Sequence, residues 1–286
     1  MINGYICSME QHKTTKVAAL YFSPTYTTRK TVTAIAEGAA ELLGTGKPVQ
    51  INITTPMQRK EIPSFREGDL VIFGVPVYIG RVPNLIRDFF ASIKGNGAIG
   101  IPVVVYGNRA FDDALIELKD IMQGNGFRCL AAGAFIGEHS FSYTLGGGRP
   151  NENDLQIACN FGREIAEKLL NGTPVPENLA VPGNPYPYKF YNAKSKKDNS
   201  IDIRKVKPET DPDKCTNCGL CAMLCPMGAI DPSNCAIVPG ICIKCCACIK
   251  LCRPKAKFFS DPTYLEHKEI LEKNFTNPPK EPEIFW

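Results

Sequence analysis

The sequence predicts an α/β protein in two parts: a doubly wound domain around five parallel strands, followed by a small cysteine-rich domain. Between residues 16 and 171, short apolar runs rich in Val and Ile alternate with segments of helical periodicity, a pattern typical of parallel sheets covered on both faces. Ten of the thirteen cysteines then fall between Cys215 and Cys252. Because the hydrophobic content is 44%, enough for a core without disulfides, the clustered cysteines indicate metal binding.

Each predicted strand is a short apolar run, and each predicted helix carries a continuous apolar face. The strands are predicted at residues 16–22, 49–53, 69–75, 101–107 and 129–135. The helices are predicted at residues 28–43, 83–93, 112–122 and 153–170. Since parallel strands need crossover connections, we expect helices on both faces of the sheet.

Composition divides the chain into four regions: 1–172, the α/β domain; 173–207, a linker; 208–260, the cysteine block; and 261–286, a short helix at 262–275 with a tail. The linker is rich in Pro, Asn and Lys, so we expect it to lie extended along the surface. Its basic part, residues 189–207, either steers an acidic partner or is simply solvated.

The cysteine block is an internal repeat. Cys215, Cys218, Cys221 and Cys225 recur at a constant offset as Cys242, Cys245, Cys248 and Cys252. Each set has the spacing Cys-x2-Cys-x2-Cys-x3-Cys, in which three cysteines hold one cubane cluster and the fourth binds the other cluster. The spacing predicts two [4Fe-4S] clusters, one held by Cys215, Cys218, Cys221 and Cys252, the other by Cys242, Cys245, Cys248 and Cys225.

Zinc is the alternative metal, but zinc ribbons lack a third and fourth cysteine at these offsets.

Three residues of the block fall outside the pattern of the repeat. Cys235 and Cys246 do not fit the register, and we expect both to be small buried side chains. Arg253 follows the last ligand where the first half has Pro226, and it either raises the potential of the first cluster or is solvated.

A hydroxyl-rich turn follows the first predicted strand. Its residues are Ser23, Pro24, Thr25, Tyr26, Thr27 and Thr28, directly before a predicted helix. Free N–H groups and the helix dipole favour a phosphate at such a position. The turn lacks the lysine of a nucleotide triphosphate loop, so it predicts a phosphomonoester site. The alternative is a threonine-rich helix cap.

This turn resembles the phosphate loop of flavodoxins, Ser/Thr-x-Thr-Gly-x-Thr, and the whole chain resembles the fused flavodoxin–ferredoxin proteins of anaerobic bacteria and archaea. The segments "FSPTYTT", "VYGNRAFDDAL" and "GAFIGEHSFS" carry the resemblance beside the cysteine repeat. It implies a flavodoxin-like five-stranded doubly wound sheet followed by a small α+β two-cluster ferredoxin domain. It also implies FMN, two [4Fe-4S] clusters, and the role of an electron carrier or reductase.

In flavodoxins the loops after the third and fourth strands grip the flavin ring, and here they span residues 74–83 and 105–113. The resemblance implies cofactor contacts from Pro76, Val77, Tyr78, Ile79, Gly80, Tyr106, Gly107, Asn108, Arg109 and Phe111. Tyr78 is the first candidate to stack on the ring and Phe111 the second, with a place in the core as the alternative for both. Tyr26 stands where flavodoxins have Gly, and since Tyr resists a positive φ, we expect a right-handed or reshaped turn.

Two further motifs have weaker implications. His139, just past the fifth predicted strand, is expected near the flavin edge, as a proton donor, a substrate ligand or a loop-packing side chain. Residues 95–100 match the dinucleotide motif Gly-x-Gly-x-x-Gly. They follow a helix and precede a strand, the reverse of the required order, so we discount a nicotinamide site.

Charge and hydropathy argue against a nucleic-acid-binding, secreted or membrane-spanning protein. The formal net charge of +4 would be offset by bound clusters and a flavin phosphate, and nothing indicates nucleic-acid binding. The N-terminus does not resemble a signal peptide, and no apolar run approaches the roughly 18 residues of a membrane span. We therefore expect a cytoplasmic protein.

The leading functional hypothesis is a redox protein that relays low-potential electrons between two clusters, FMN and a protein partner. A terminal FMN-dependent reductase of a quinone, nitro compound or metal complex is the second hypothesis, and a redox sensor is the third. The sequence identifies neither the donor nor the acceptor, and it is compatible with a homodimer.

Overall fold

The computed structural model describes residues 14–193, 195 and 200–286, so the prediction about a signal peptide lies outside the described residues. The strands are β1 (Lys16–Tyr21), β2 (Val49–Asn52), β3 (Asp69–Pro76), β4 (Ile99–Tyr106), β5 (Arg128–Cys129), β6 (Ala132–Ile136), β7 (Glu209–Thr210), β8 (Lys257–Phe258) and β9 (Glu283–Phe285). The α-helices are α1 (Thr27–Leu43), α2 (Arg87–Ser92), α3 (Ala114–Gly124), α4 (Glu152–Leu170), α5 (Leu220–Met223), α6 (Ala247–Lys250) and α7 (Pro262–Phe275).

The main sheet has the order β2-β1-β3-β4-β6-β9, with β5 also paired to β4. Strands β1 to β6 pair in parallel. Because β5 and β6 both follow β4 along the chain, they are two pieces of the single fifth strand that the sequence predicts. The resulting order, 2-1-3-4-5, is that of flavodoxin-like folds, so the predicted fold class is confirmed.

Two apolar layers cover the sheet, one on each face. Val17 and Ala19 of β1 face the layer that contains α1 and α4, while Leu20 faces the layer of α2 and α3. Helices α1 and α4 pack closely because each presents a glycine: a Cβ on Gly38 would lie 2.0 Å from the Cys159 carbonyl oxygen, and one on Gly162 would lie 1.9 Å from that of Ile35. The helices thus sandwich the sheet as the sequence predicts.

The end of the chain returns to this sheet. Strand β9 pairs antiparallel with β6, with Phe285 opposite Ala132. Phe285 also packs on Phe111, with ring centroids 6.4 Å apart, and the Trp286 ring lies 5.5 Å from that of Phe161. The last strand therefore adds a sixth position to the five predicted for the sheet. We call residues 14–172 together with β9 the sheet domain.

Residues 208–260, which we call the cysteine module, contain only short elements. Strands β7 and β8 pair antiparallel, and the one-turn helices α5 and α6 lie at equivalent positions of the two halves of the repeat. Left-handed backbone recurs with the same period: Asn217 and Lys244, Gly219 and Cys246, and Gly228 and Lys255 all have φ between 49° and 74°. The sequence repeat is therefore also a repeat of backbone conformation.

The linker lies along α3. The Tyr188 hydroxyl donates a hydrogen bond of 2.5 Å to the Asp120 carboxylate, and the backbone N–H of Asn184 donates to Asp113 at 2.8 Å. Leu179 is buried against the core. These contacts hold the described part of the linker on the surface of the sheet domain.

Candidate functional site

The second half of the cysteine repeat borders an apolar cavity. Five cysteines line it: Cys225, Cys242, Cys245 and Cys248, which the spacing assigns to the second cluster, and Cys246, which lies outside the register. Ile230, Phe259 and other apolar side chains complete the wall. Burial raises the pKa of the Cys242 thiol, and it raises that of Cys245 well above its usual range. Such thiols stay protonated in an apolar wall unless a metal binds them, so this donor set fits an iron–sulfur cluster.

Backbone N–H groups point at the sulfurs in both halves of the repeat. Ala229 donates to Sγ of Cys225 and Ala256 donates to Sγ of Cys252, each at 3.3 Å. Lys244 donates to Sγ of Cys242 at 3.4 Å. Bonds of this kind stabilise thiolate charge and tune cluster potential. Among the described residues no three Cys, His, Asp or Glu side chains meet at one point as a single metal ion requires, whereas the thiolates of a cubane bind different irons.

The two cysteines outside the register are buried. Cys246 occupies the left-handed position that Gly219 holds in the first half, and its Sγ lies 3.4 Å from the hydroxyl of Tyr264 on α7. Cys235 lies beside Cys221, with which it shares a hydrogen bond. Both placements agree with the expected packing role.

The hydroxyl turn forms the start of α1. The Ser23 hydroxyl accepts a hydrogen bond of 2.9 Å from the N–H of Arg29. Tyr26, the residue before the helix, provides no side-chain cap, and the first turn has no acidic residue. The buried hydroxyl of Thr28 has no partner among the described residues. A helix start that Ser23 caps at one N–H, with an unpaired buried hydroxyl beside it, fits a phosphate group. Pro24, Thr25 and Thr27 complete the turn, and Thr25 and Thr27 are partly exposed.

The expectation for Tyr26 was wrong. Its φ is 69° and its ψ is −5°, so the residue adopts the left-handed conformation that glycine favours. The turn keeps the backbone path that a glycine would give, and Tyr26 carries the strain, about 1–2 kcal/mol for a residue with a Cβ. Its ring is 37% exposed.

The loop after β3 is a tight turn. Tyr78 and Arg81 exchange two backbone hydrogen bonds, and the residues between them, Ile79 and Gly80, have φ values of 53° and 76°. The Val77 N–H donates to the Val105 carbonyl at 2.9 Å and so ties the turn to β4, one residue after Pro76 ends β3. The turn presents the half-buried ring of Tyr78 beside the cysteine module. Burial raises the pKa of Tyr78 well above its usual range, and thiolate charge at Cys245, Cys246 or Cys242 would raise it further.

The loop after β4 binds other parts of the chain. The Asn108 amide donates to the carbonyls of Phe275 and Pro278 at 2.6 and 3.1 Å. Its oxygen accepts a hydrogen bond from the N–H of Lys280 at 2.8 Å. The Arg109 guanidinium lies 3.8 Å from the ring centre of Tyr191 in the linker. No sequence pattern indicates that this loop anchors the tail and the linker.

Phe111 does not lie at the surface of that loop. Its ring is buried between Tyr106 and Phe285, with centroid distances of 5.4 and 6.4 Å. The structure thus favours the alternative that the sequence left open, a place in the core. The buried hydroxyl of Tyr106 has no partner among the described residues, and a Cβ on Gly107 would lie 2.4 Å from the ring of His139.

His139 packs inside its loop. Its Nδ1 accepts a hydrogen bond of 3.1 Å from the N–H of Phe141, whose ring centre lies 5.1 Å away. Burial lowers the pKa of His139 to about 3, and the charge of Lys250 lowers it further. The imidazole is therefore neutral at ordinary pH, which favours the loop-packing interpretation over a proton donor.

The cysteine module docks on the loops at the carboxyl ends of the strands. Lys250 at the end of α6 inserts its ammonium among three acceptors after β6: the Glu138 carboxylate at 2.5 Å and the carbonyls of His139 and Ser142 at 2.7 and 2.8 Å. Arg59, in the loop after β2, donates to the Pro226 carbonyl at 2.6 Å. Ligands bind at this edge of open α/β sheets, so the module covers the expected ligand edge.

Sequence reasoning missed both docking residues. Lys250 has one sequence signal, because its counterpart in the first half of the repeat is the apolar Met223. Arg59 has no signal, since it lies in a polar loop among other charged residues.

Comparison with known proteins supports a role of the cysteine module in iron–sulfur binding. Residues 208–231 match the 4Fe-4S binding domain family, which covers the first half of the cysteine repeat. This match supports iron–sulfur cluster binding in the module. No curated protein gives a significant match.

Solved structures similar to this chain include three flavodoxins. A flavodoxin from the domain Archaea is 18% identical, with 54% of this chain and 98% of that chain covered and a TM-score of 0.38. A short-chain flavodoxin associated with a bacterial microcompartment is 13% identical, with 54% and 99% covered and a TM-score of 0.39. A flavodoxin of Streptococcus pneumoniae TIGR4 is 19% identical, with 53% and 98% covered and a TM-score of 0.37. The fold assignment comes from the strand order of the sheet itself.

The helices of the described residues include none with the length and apolar character needed to span a membrane.

Proposed function

We propose that this chain is a redox relay that carries FMN on the sheet domain and two [4Fe-4S] clusters in the cysteine module. The observation that carries the proposal is the docking of the module. Through Lys250 and Arg59, the cysteines assigned to the second cluster are held over the edge where the flavin would bind. When bound, FMN takes up one or two electrons, while each cluster passes one at a time.

The side chains have separate parts in this proposal. The hydroxyl turn at residues 23–28 would bind the flavin phosphate, with Thr28 supplying an otherwise unpaired hydroxyl. Tyr78 would border the flavin ring on the side of the cysteine module. Ile230 and Phe259 would exclude water from the second cluster, and the N–H groups of Ala229 and Ala256 would stabilise ligand charge in each half.

The relay is favoured over a terminal reductase because the loops are occupied by protein. The module covers the loops after β2 and β6, and Asn108 holds the tail against the loop after β4. A small substrate would have to reach the flavin past these contacts. A redox protein would instead exchange electrons through the exposed side of the module, where Cys218 is accessible.

Cofactor analysis tests the proposal. Protein prepared without oxygen should contain about eight irons and one FMN per chain. Four irons or fewer, or stoichiometric zinc, would contradict the two-cluster assignment. The reduced protein should then reoxidise slowly with quinones, nitro compounds and metal complexes. Steady turnover of one of these without a protein partner would support the terminal reductase.

A further inference from the structure

The two halves of the cysteine repeat have the same backbone but different surroundings. The second half faces the sheet domain: Cys245 is buried, and Lys250 is inserted among three acceptors in the loop after β6. The equivalent residues of the first half, Cys218 and Met223, are exposed. The sheet domain thus distinguishes two sites that the sequence makes equivalent.

Cys225, which the spacing assigns to the second cluster, lies on the docked side although it belongs to the first half. Arg59 binds the carbonyl of Pro226, the next residue, and a Cβ on Gly228 would lie 3.5 Å from the Pro56 ring in the same loop. The counterparts of Pro226 and Gly228 in the second half are Arg253 and Lys255, both exposed. The ligands of the second cluster therefore meet the sheet domain from both halves of the repeat.

We propose that the two clusters have fixed places in the relay: the second, at Cys225, Cys242, Cys245 and Cys248, exchanges electrons with the flavin, and the first, at Cys215, Cys218, Cys221 and Cys252, exchanges them with an external redox protein. This inference rests on the proposed function. For each electron that enters, the external donor loses one electron. With the cofactors bound, that electron would pass from the first cluster to the second and then to the flavin. The proton that accompanies flavin reduction comes from solvent.

Two arginines allow the proposed order of the two clusters to be tested with a matched pair of variants. Arg59 is half-buried, and its guanidinium donates to the carbonyls of Ile53 at 3.1 Å and Pro226 at 2.6 Å. Pro226 directly follows Cys225, so this arginine lies beside a ligand assigned to the second cluster.

Arg253 is the matched residue of the other cluster, and it is exposed. Arg253 directly follows Cys252, a ligand that the spacing assigns to the first cluster. Each arginine therefore places its charge near a different cluster.

The test compares Arg59→Gln with Arg253→Gln in the full-length protein, with the midpoint potential of each cluster followed by EPR in an anaerobic redox titration. Removing a positive charge near one cluster disfavours its reduction, on the order of tenfold in the equilibrium constant for a half-buried group and less for an exposed one. Arg59→Gln should lower the potential of one cluster, and Arg253→Gln that of the other. Arg59→Lys, which keeps the charge, should recover most of the wild-type potential.

The cluster that responds to Arg59 is then placed by rapid mixing. Cys215→Ser should remove the first cluster and leave dithionite-driven electron transfer between the remaining cluster and FMN. Cys245→Ser should remove the second and leave a reducible cluster that cannot pass its electron to FMN. The opposite pattern, or equal shifts of both potentials by Arg59→Gln, would overturn the order while leaving the relay intact. Wild-type protein without FMN or with fewer than eight irons would instead overturn the proposed function.

Discussion

In the sheet domain five phenylalanines are completely buried, whereas the cysteine module buries two large apolar side chains among its described residues, Ile230 and Phe259. The sheet domain has six strand positions, three helices of 11 to 19 residues and a shorter one to hold that core. The module has two-residue strands and one-turn helices. The comparison teaches that the two regions fold for different reasons: apolar burial suffices for the first, while the second depends on metal–thiolate bonds.

Removal of iron should have the largest effect, because it should destabilise the module and not the sheet domain. Chelation under anaerobic conditions should unfold the module, because metal binding supplies on the order of 10 kcal/mol to small modules with little core. Hydrogen exchange measured by mass spectrometry should then show fast exchange across residues 208–260 and continued protection in β1, β3 and β4. Protected amides in the iron-free module would mean that its apolar contacts suffice.

Two neighbouring cysteines test which thiols of the module bind metal. Cys245→Ser should lose one cluster, about four irons per chain, because the register of the repeat assigns Cys245 as a ligand. Cys246→Ser should keep all the iron, since the thiol of Cys246 faces the Tyr264 hydroxyl. Iron and sulfide analysis of both variants measures the difference. Equal loss of iron from the two would show that the register of the repeat assigns the wrong ligands.

The hydroxyl turn tests whether the sheet domain binds its cofactor independently of the module. Thr25→Ala combined with Thr28→Ala should weaken FMN binding by roughly a hundredfold or more, since each hydrogen bond to a charged group contributes about 1.5–3 kcal/mol. Iron content should not change. Fluorescence titration of the flavin-free protein gives the Kd, and iron is measured in the same sample.

Thr33→Ala is the matched control for that pair, because Thr33 lies on the same helix and its hydroxyl donates to Gln50 of β2. It should leave the affinity for FMN unchanged. If the double variant binds FMN like wild type, the phosphate lies elsewhere. If it loses iron together with FMN, the two regions do not fold independently.

The docking contact gives a smaller effect. Lys250→Met introduces the residue found at the equivalent position of the first half, Met223. The change removes one ion pair and two hydrogen bonds from a nearly buried site. We expect a loss of about 2–4 kcal/mol of coupling between the regions, seen as a single urea transition splitting into two. Lys214→Met is the control, because its ion pair with Asp211 is solvent-exposed. A single unshifted transition in Lys250→Met would show that the module is docked by other contacts.

Substitution of Tyr26, whose backbone is left-handed, should have the smallest effect on stability. Tyr26→Gly should stabilise the flavin-free protein by at most about 1 kcal/mol, because glycine relieves the positive φ but gains entropy in the unfolded chain. Tyr26→Ala keeps the strain and should give no such gain. Thermal unfolding of the two variants side by side measures this difference, and a lower Tm for Tyr26→Gly than for Tyr26→Ala would contradict the strain assigned to the turn.

Local sequence patterns predicted the elements of the sheet domain well, because apolar periodicity decides them. Helix α7 spans the predicted residues 262–275, and α1 and α4 each begin one residue earlier than predicted. Strand β9 could not be predicted, since so short a segment forms a strand only by pairing with β6, which is distant in the chain. Tyr26 adopts a conformation that its own propensity opposes, so its surroundings decide it.

The grouping of the cysteines could be predicted from their spacing in the sequence. The contacts that dock the module on the sheet domain could not. The cysteine spacing grouped Cys225 with three residues of the other half, and these four line one cavity together with Cys246. Asn108 and Arg109 bind the tail and the linker, contacts that depend on tertiary structure. Lys250 and Arg59 make interactions that no local pattern specifies, because a surface lysine or arginine in sequence is usually solvated.

An anaerobic reductive titration tests the central claim most directly. Dithionite is added in measured amounts while the absorption of flavin and clusters is recorded. One FMN and two clusters on one chain should take up four electrons, two for the flavin and one for each cluster. Uptake of two electrons, with only the flavin or only the clusters bleached, would contradict a relay that holds all three cofactors.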